Sequence, residues 1–234
     1  MKALYMEDSY LKEFNTKVKK ADGKYIVLEE TAFYPKSGGQ PFDTGKIIDK
    51  EENEYNVVFT GKFDGEISHE VDKEGLKEGD EVKGVIDWER RYKFMRAHTA
   101  SHILSAVFHN EAGAKITGNQ LGLEKSRVDF SLEDFDRNRI DEYAEKANEI
   151  IGRKIDVKTY FLDREEAMKI PGMVEFAGAL SASSKELRIV EIGNIDKQAD
   201  GGTHVRNTEE SGEIEIIKAE NKGKNNRRVY FRLK

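Results

Sequence analysis

The chain of 234 residues contains no cysteine. No disulfide framework can staple it, and no thiolate can ligate a metal or attack a substrate. Any metal site must be built from His, Asp or Glu. Long apolar runs are missing too: no stretch approaches the ~20 residues that span a bilayer. The opening MKALYMEDSYLKEF has acidic residues where a signal peptide needs an apolar run. The expectation is a soluble cytoplasmic protein with no membrane association and no obligate protein partner. Net positive charge is also lacking. At −6 the average speaks against indiscriminate nucleic-acid binding.

Averages hide patterning. NKGKNNRRVYFRLK, residues 221–234, holds six basic residues and no acidic one, and WERRYKFMR, residues 88–96, holds four basic and one acidic. Such clusters serve as solvated faces. Arg and Tyr interleaved in this way also suit a phosphate backbone and a stacked base.

Residues 1–87 read as short strands. KYIVLEE, EYNVVFT, GEISHEV and EVKGVIDW are rich in β-branched and aromatic residues, and ADG, TG, DG and EGD punctuate them. That spacing predicts a small β-barrel-like domain. The pattern changes at Trp88. Phe94, Ala97, Ser101, Leu104 and Phe108 recur at helical spacing, predicting a helix from Glu89 to about Asn110. SRVDF reads as a strand, SLED as a capping box opening a helix that stops at Gly152, and DVKTYFL as a strand. DREEAMKI reads as a short helix stopped by Pro171–Gly172, and ELRIVEIG as a strand. GEIEIIKAE and RRVYFRL pair as a hairpin across NKGKNN. The expected fold is α+β: the barrel-like domain, then a domain of residues 88–234 in which an antiparallel sheet and helices carry a metal site.

His98 and His102 are four apart, so on a helix they stack on one side, beside the apolar stripe. Such a pair can share one metal ion, though it also arises by chance. Thr99 stands where HExxH zinc proteases carry their catalytic Glu, so peptide hydrolysis on that plan is excluded. His109 lies too far along the helix to join them, and His69 reads as a surface residue of a strand. The second cluster is QADGGTH, residues 198–204, in a polar loop. It reads as an Asp-Gly turn, or as Asp200 and His204 folded toward the helix to complete a set of three imidazoles and one carboxylate. Such a set suits zinc.

RAHTASHILSAVF and DKQADGGTHVRNTEESGEIEI closely resemble the editing domain of alanyl-tRNA synthetase and its free-standing relatives, the alanyl-tRNA editing (AlaX) proteins. TAFYPKSGGQPFDTG resembles that family's glycine-rich motif, GNQLG and SRVDF its segment after the metal helix, and DREEAMKIPG and KGKNNRRVYF later segments. These cover nearly the whole chain, and the length matches the medium-sized, free-standing class. One position departs: the family's usual Cys of Cys-Gly-Gly-Thr-His is Asp200. Either Asp200 ligates, or it holds a water while the three histidines carry the metal.

The resemblance implies a zinc-dependent deacylase acting in trans on mischarged tRNA(Ala). It would remove serine, and glycine as well, by aminoacyl-ester hydrolysis. A pocket built for alanine excludes neither well, so a second site must sort the products. The resemblance further implies His98, His102, Asp200 and His204 as metal ligands, and Gln120 with Thr117 as catalytic-site contacts to the substrate. It implies Ser37, Gly38, Gly39 and Gln40 as a substrate-binding loop. Candidate tRNA contacts are Arg90, Arg91, Lys93, Arg96, Lys222, Lys224, Arg227 and Arg228. Two alternatives remain: a noncatalytic tRNA-binding module retaining the editing fold, and a metal hydrolase of small esters or amides.

Overall fold

The computed structural model describes residues 1–133, 136–170 and 185–234. They form two compact units, Met1–Lys93 and Phe94–Lys234. The first holds β1 (Lys2–Ala3), β2 (Glu13–Asp22), β3 (Tyr25–Leu28), β4 (Glu30–Thr31), β5 (Gly45–Ile48), β6 (Glu54–Phe63), β7 (Glu66–Val71) and β8 (Glu81–Ile86). Six of these close into an antiparallel barrel, in the order β2-β3-β7-β6-β5-β8.

Strand alternation explains the closure. β7 buries Ile67, His69 and Val71, and β8 buries Val82, Gly84 and Ile86. Val71, Val82 and Ile86 meet Phe14, Ile26, Leu28, Phe33, Ile47 and Val57 in one core, while Ile67 packs with Tyr5 and Tyr34. β1, β2 and β5 are additions to the strands read from sequence. β2 hides its period because Phe14 and Val18 are its only buried residues among charged and polar neighbours.

His69 corrects the sequence reading. It is fully buried, not at the surface. Its Nδ1–H donates to the Ile26 carbonyl and its Nε2 faces the Thr31 hydroxyl, each at 2.9 Å. Burial pushes its pKa down to about 4, so the ring stays neutral.

The second unit contains most of α1 (Trp88–Ala112), then β9 (Ile116–Gln120), β10 (Ser126–Phe130) and α2 (Arg137–Gly152). After them come β11 (Val157–Asp163), α3 (Arg164–Ala167), β12 (Glu186–Ile192), β13 (Asp196–Ala199), β14 (Ile214–Asn221) and β15 (Arg227–Leu233). The sheets are antiparallel, one in the order β14-β15-β10-β9 and one in the order β11-β12-β13. Ile103, Leu104, Val107 and Phe108 of α1 share a core with residues of both sheets and of α2. Phe108 stacks on Phe130 at 4.1 Å and takes the edge of Tyr143 at 4.9 Å.

Two local expectations change. α1 is not one-faced: every residue from Ala97 to Phe108 is buried, because Ala and Ser at 97, 100, 101, 105 and 106 let neighbours close in. α2 is capped by Asp136, whose carboxylate accepts from Asn138 N at 2.9 Å. Ser131, read as the cap, instead accepts from Lys115 N at 2.8 Å. Asp134 of that reading, and the Pro171–Gly172 stop, lie outside the described residues.

Candidate metal centre

α1 offers His98 and His102 one turn apart. The segment leaving β13 offers Asp200 and His204. The ligand-capable atoms of these four residues all lie within 4.8 Å of one another. Asp200 Oδ2 is 3.6 Å from His98 Nε2 and 3.8 Å from His102 Nε2, and Asp200 Oδ1 is 3.4 Å from His204 Nε2. A tetrahedron with ~2.0–2.1 Å metal bonds has edges of roughly 3.3–3.5 Å. The cluster is thus near the size of one coordination sphere. The histidine side chains are 4%, 8% and 0% exposed and Asp200 is 24% exposed, so the carboxylate marks the side open to solvent.

The remaining ring nitrogens face outward onto protein. His102 Nδ1–H donates to Asp196 Oδ2 at 2.7 Å, and Gln198 Nε2 donates to Asp196 Oδ1 at 2.7 Å. His204 Nδ1 lies 3.1 Å from Thr99 Oγ1, which also accepts from Val205 N at 3.3 Å. His98 packs against the Gly202–Thr203 main chain. Arg188, buried on β12, donates to the carbonyls of Asp200 and Gly202, both at 2.9 Å, and so pins the loop. Gly202 N–H donates to Asp200 Oδ1 at 2.5 Å.

The electrostatics of the four residues fit a cation site. Burial brings His98 down to about 4 and His204 well below its usual range, which keeps them neutral, as ligands must be. Burial opposes charge on Asp200, but His98, His102 and His204 outweigh it and keep the carboxylate ionised. His102 is likewise opposed by burial. Hydrogen bonds to Asp196 and Asp200 nevertheless push it up to about 10, so two carboxylates hold a proton where a metal would put its charge.

Thr117 and Gln120 are exposed on β9. The Thr117 hydroxyl donates to Asn226 Oδ1 at 3.2 Å, and Gln120 Oε1 accepts from Arg127 Nε at 3.4 Å. Neither has a hydrogen bond to the four-residue cluster among the described residues. In the first unit, Ser37–Gln40 is a tight turn: Gln40 N donates to Ser37 O at 2.8 Å and Ser37 N to Gln40 O at 3.2 Å. Gly38 and Gly39 have φ of 54° and 85°, which a two-residue turn of this hand requires. Gly38 faces open space, while Gln40 is buried.

The basic candidates divide. Arg91 and Arg227 are both buried. Arg91 makes a fork with Asp43, Nε lying 3.0 and 2.9 Å from its oxygens, and donates to the carbonyls of Ser9 and Ala32. Arg227 donates to the carbonyls of Glu133, Gly223 and Asn226 and holds the hairpin turn. Arg96 reaches the carbonyls of Ser211 and Lys234. Arg228 grips Asp129 at 2.7 and 2.8 Å. Arg90 lies over the Phe42 ring, Lys93 pairs with Glu89, and Lys222 pairs with Glu220. Lys222 and Lys224 are exposed at the hairpin tip.

Sequence reasoning missed Asp196, Gln198, Thr99 and Arg188. A signal existed for the first two: D-x-Q-x-D from 196 to 200 has strand period.

Comparison with known proteins agrees with the motifs. Residues 3–90 match the family described as tRNA synthetases class II (A), and residues 187–230 the threonyl and alanyl tRNA synthetase second additional domain. The alanyl-tRNA editing protein AlaX-M of Methanosarcina barkeri is 53% identical over 238 residues, covering 99% of this chain and 98% of that protein. AlaX-M of Saccharolobus solfataricus is 46% identical over 99% of this chain and 98% of its own length. The alanine–tRNA ligase of Sulfurisphaera tokodaii is 38% identical over 94% of this chain but only 25% of the ligase. With such identity along almost its full length, the chain belongs to the family of alanyl-tRNA editing proteins.

Proposed function

We propose that this chain is a zinc-dependent aminoacyl-ester hydrolase that deacylates tRNA(Ala) mischarged with serine or glycine, acting in trans in the cytoplasm. The observation that carries the reading is the convergence of three imidazole Nε2 atoms on the Asp200 carboxylate. The names of its AlaX-M relatives supply the substrate class. The donor set fits zinc, which takes imidazole and carboxylate ligands readily. His98, His102 and His204 would hold the ion with Asp200. Zinc would supply a Lewis acid to polarise the ester or lower the pKa of a water.

The chain's own residues do the rest. Asp200, partly exposed, leaves the cluster reachable from one side, while the buried histidines close the others. Gln120 and Thr117 offer polar groups to a seryl hydroxyl. Gln120 Oε1 is engaged by Arg127, so its amide NH₂ is the group left to donate. Gln120 is exposed, so an alanyl ester would leave that donor to water and forgo only the net hydrogen bond, on the order of 0.5–1.5 kcal/mol. The Ser37–Gln40 turn is assigned to the substrate site through its glycine-rich motif. Lys222, Lys224, Arg228, Arg90, Lys93 and Arg96 are assigned to the RNA backbone, where they would position the acceptor end without reading its sequence.

The test is hydrolysis of seryl-, glycyl- and alanyl-tRNA(Ala) by the wild type and His204→Ala. The reading expects the seryl and glycyl esters to be cleared, the alanyl ester to be spared, and the variant to be inactive. Binding of all three tRNAs with none cleaved would instead make the chain a tRNA-binding module.

A further inference from the structure

Strand β13 reads Asp196-Lys197-Gln198-Ala199 and runs into Asp200. Alternation turns Asp196, Gln198 and Asp200 to one side. Ala199 is buried with Leu187 and Ile189 on the other side, and Lys197 pairs with Glu191 at 2.8 Å. Asp196 is a carboxylate only 10% exposed, and its recorded partners are His102 Nδ1 and Gln198 Nε2, each at 2.7 Å. Among the described residues no Lys or Arg pairs with it. Burying a carboxylate is costly unless both oxygens are occupied, and here one is given to Gln198 and the other to a histidine.

That hydrogen bond has a consequence for His102. The ring can present Nε2 as a lone pair only if Nδ1 carries the hydrogen. A carboxylate accepts and never donates, so it selects that tautomer and fixes the ring's rotation. We propose that Asp196, itself steadied by Gln198, is a positioning residue of the metal centre that holds His102 with Nε2 aimed at the Asp200 carboxylate. The inference rests on the reading of His98, His102, Asp200 and His204 as metal ligands. It assigns a role to a side chain that neither His-x-x-x-His nor Asp-Gly-Gly-Thr-His contains.

The test uses the full chain stripped of metal. Co²⁺ is titrated in and followed by its visible absorption, zinc affinity is measured against a competing chelator, and the ring nitrogens of His102 are assigned by ¹H–¹⁵N NMR in the zinc-loaded chain. Asp196→Ala is expected to lose about 10–100-fold in affinity for both ions. Its Co²⁺ spectrum should change, and the His102 Nδ1–H of the zinc-loaded chain should lose the downfield shift and slow exchange that a carboxylate partner gives it. Asp196→Asn, which keeps an acceptor without the charge, should fall between variant and wild type. Gln198→Leu should lose only several-fold. Should Asp196→Ala fail to fold, by circular dichroism, the Asn and Leu variants carry the test. Wild-type affinity and NMR signature in the variants overturn the positioning role alone. A wild type that binds no Co²⁺ overturns the metal-centre reading, and this proposal with it.

Discussion

Gly202 lies so close beneath His98 that a Cβ at residue 202 would stand 2.4 Å from Nδ1 and 2.2 Å from Cε1 of the imidazole. No ordinary side chain tolerates such a contact, so the second glycine of Asp-Gly-Gly-Thr-His is there for close approach rather than for flexibility. Gly201, by contrast, has nothing within 4 Å of where a Cβ would be. Gly202→Ala should displace the His98 ring and reduce metal uptake by at least about tenfold. Gly201→Ala should leave it near wild type. Metal content after dialysis distinguishes them, and equal content in both variants would contradict the packing argument.

As a ligand, Asp200 would set the hardness of the proposed donor set. Asp200→Cys would place a thiolate where the carboxylate stands and should tighten zinc binding, with a larger gain for the softer Cd²⁺. Asp200→Ala should weaken both. Chelator competition with the two ions checks the order, and a Cys variant that binds no tighter than the wild type would argue that residue 200 is not a ligand.

The pKa pattern predicts proton release. At pH 7 the metal-free site has neutral His98 and His204, ionised Asp200, and His102 protonated because it is pushed up to about 10. Metal binding must expel that proton, so about one proton should leave per ion bound. Calorimetry in buffers of differing ionisation enthalpy measures it, and a value near zero would contradict the charged state of His102.

His69 gives the barrel an acid limit. Its folded pKa, about 4, lies below its ordinary 6.5. A depressed histidine takes up its proton more readily when unfolded, so its contribution is intact above pH 6.5 and is lost as pH falls toward 4. The span is on the order of 3 kcal/mol. Urea unfolding at pH 7 and 5 should show the loss in the wild type and a smaller loss in His69→Phe, whatever the variant's stability at pH 7.

Arg91 and Asp43 test the division between buried bases and those proposed to contact RNA. Asp43→Asn leaves a buried guanidinium short of its counter-charge and should cost about 3–5 kcal/mol in denaturant unfolding. Lys224→Ala should leave stability near wild type and lower the salt dependence of tRNA binding. The opposite assignment of effects would return Arg91 to the RNA surface.

Much of this was legible in the chain. β6, β7, β8, β10, β12 and the terminal hairpin announce themselves by β-branched runs between turn residues, and α1 by its apolar spacing. The four candidate ligands stand out because no cysteine competes and histidine is scarce. β13 was hidden because Asp196-Lys197-Gln198-Ala199 has one apolar side chain, and with it went Asp196. Arg91 looked like its basic neighbours because Asp43, which neutralises it, lies 48 residues away. A charge cluster in sequence does not say which members the fold will consume.

The most direct test of the central claim is deacylation of seryl-tRNA(Ala) by the protein as purified, after chelator stripping, and after reloading with zinc. Activity should vanish on stripping and return with about one zinc per chain, while alanyl-tRNA(Ala) survives throughout. Undiminished hydrolysis by protein shown to be metal-free would contradict a metal-dependent editing site.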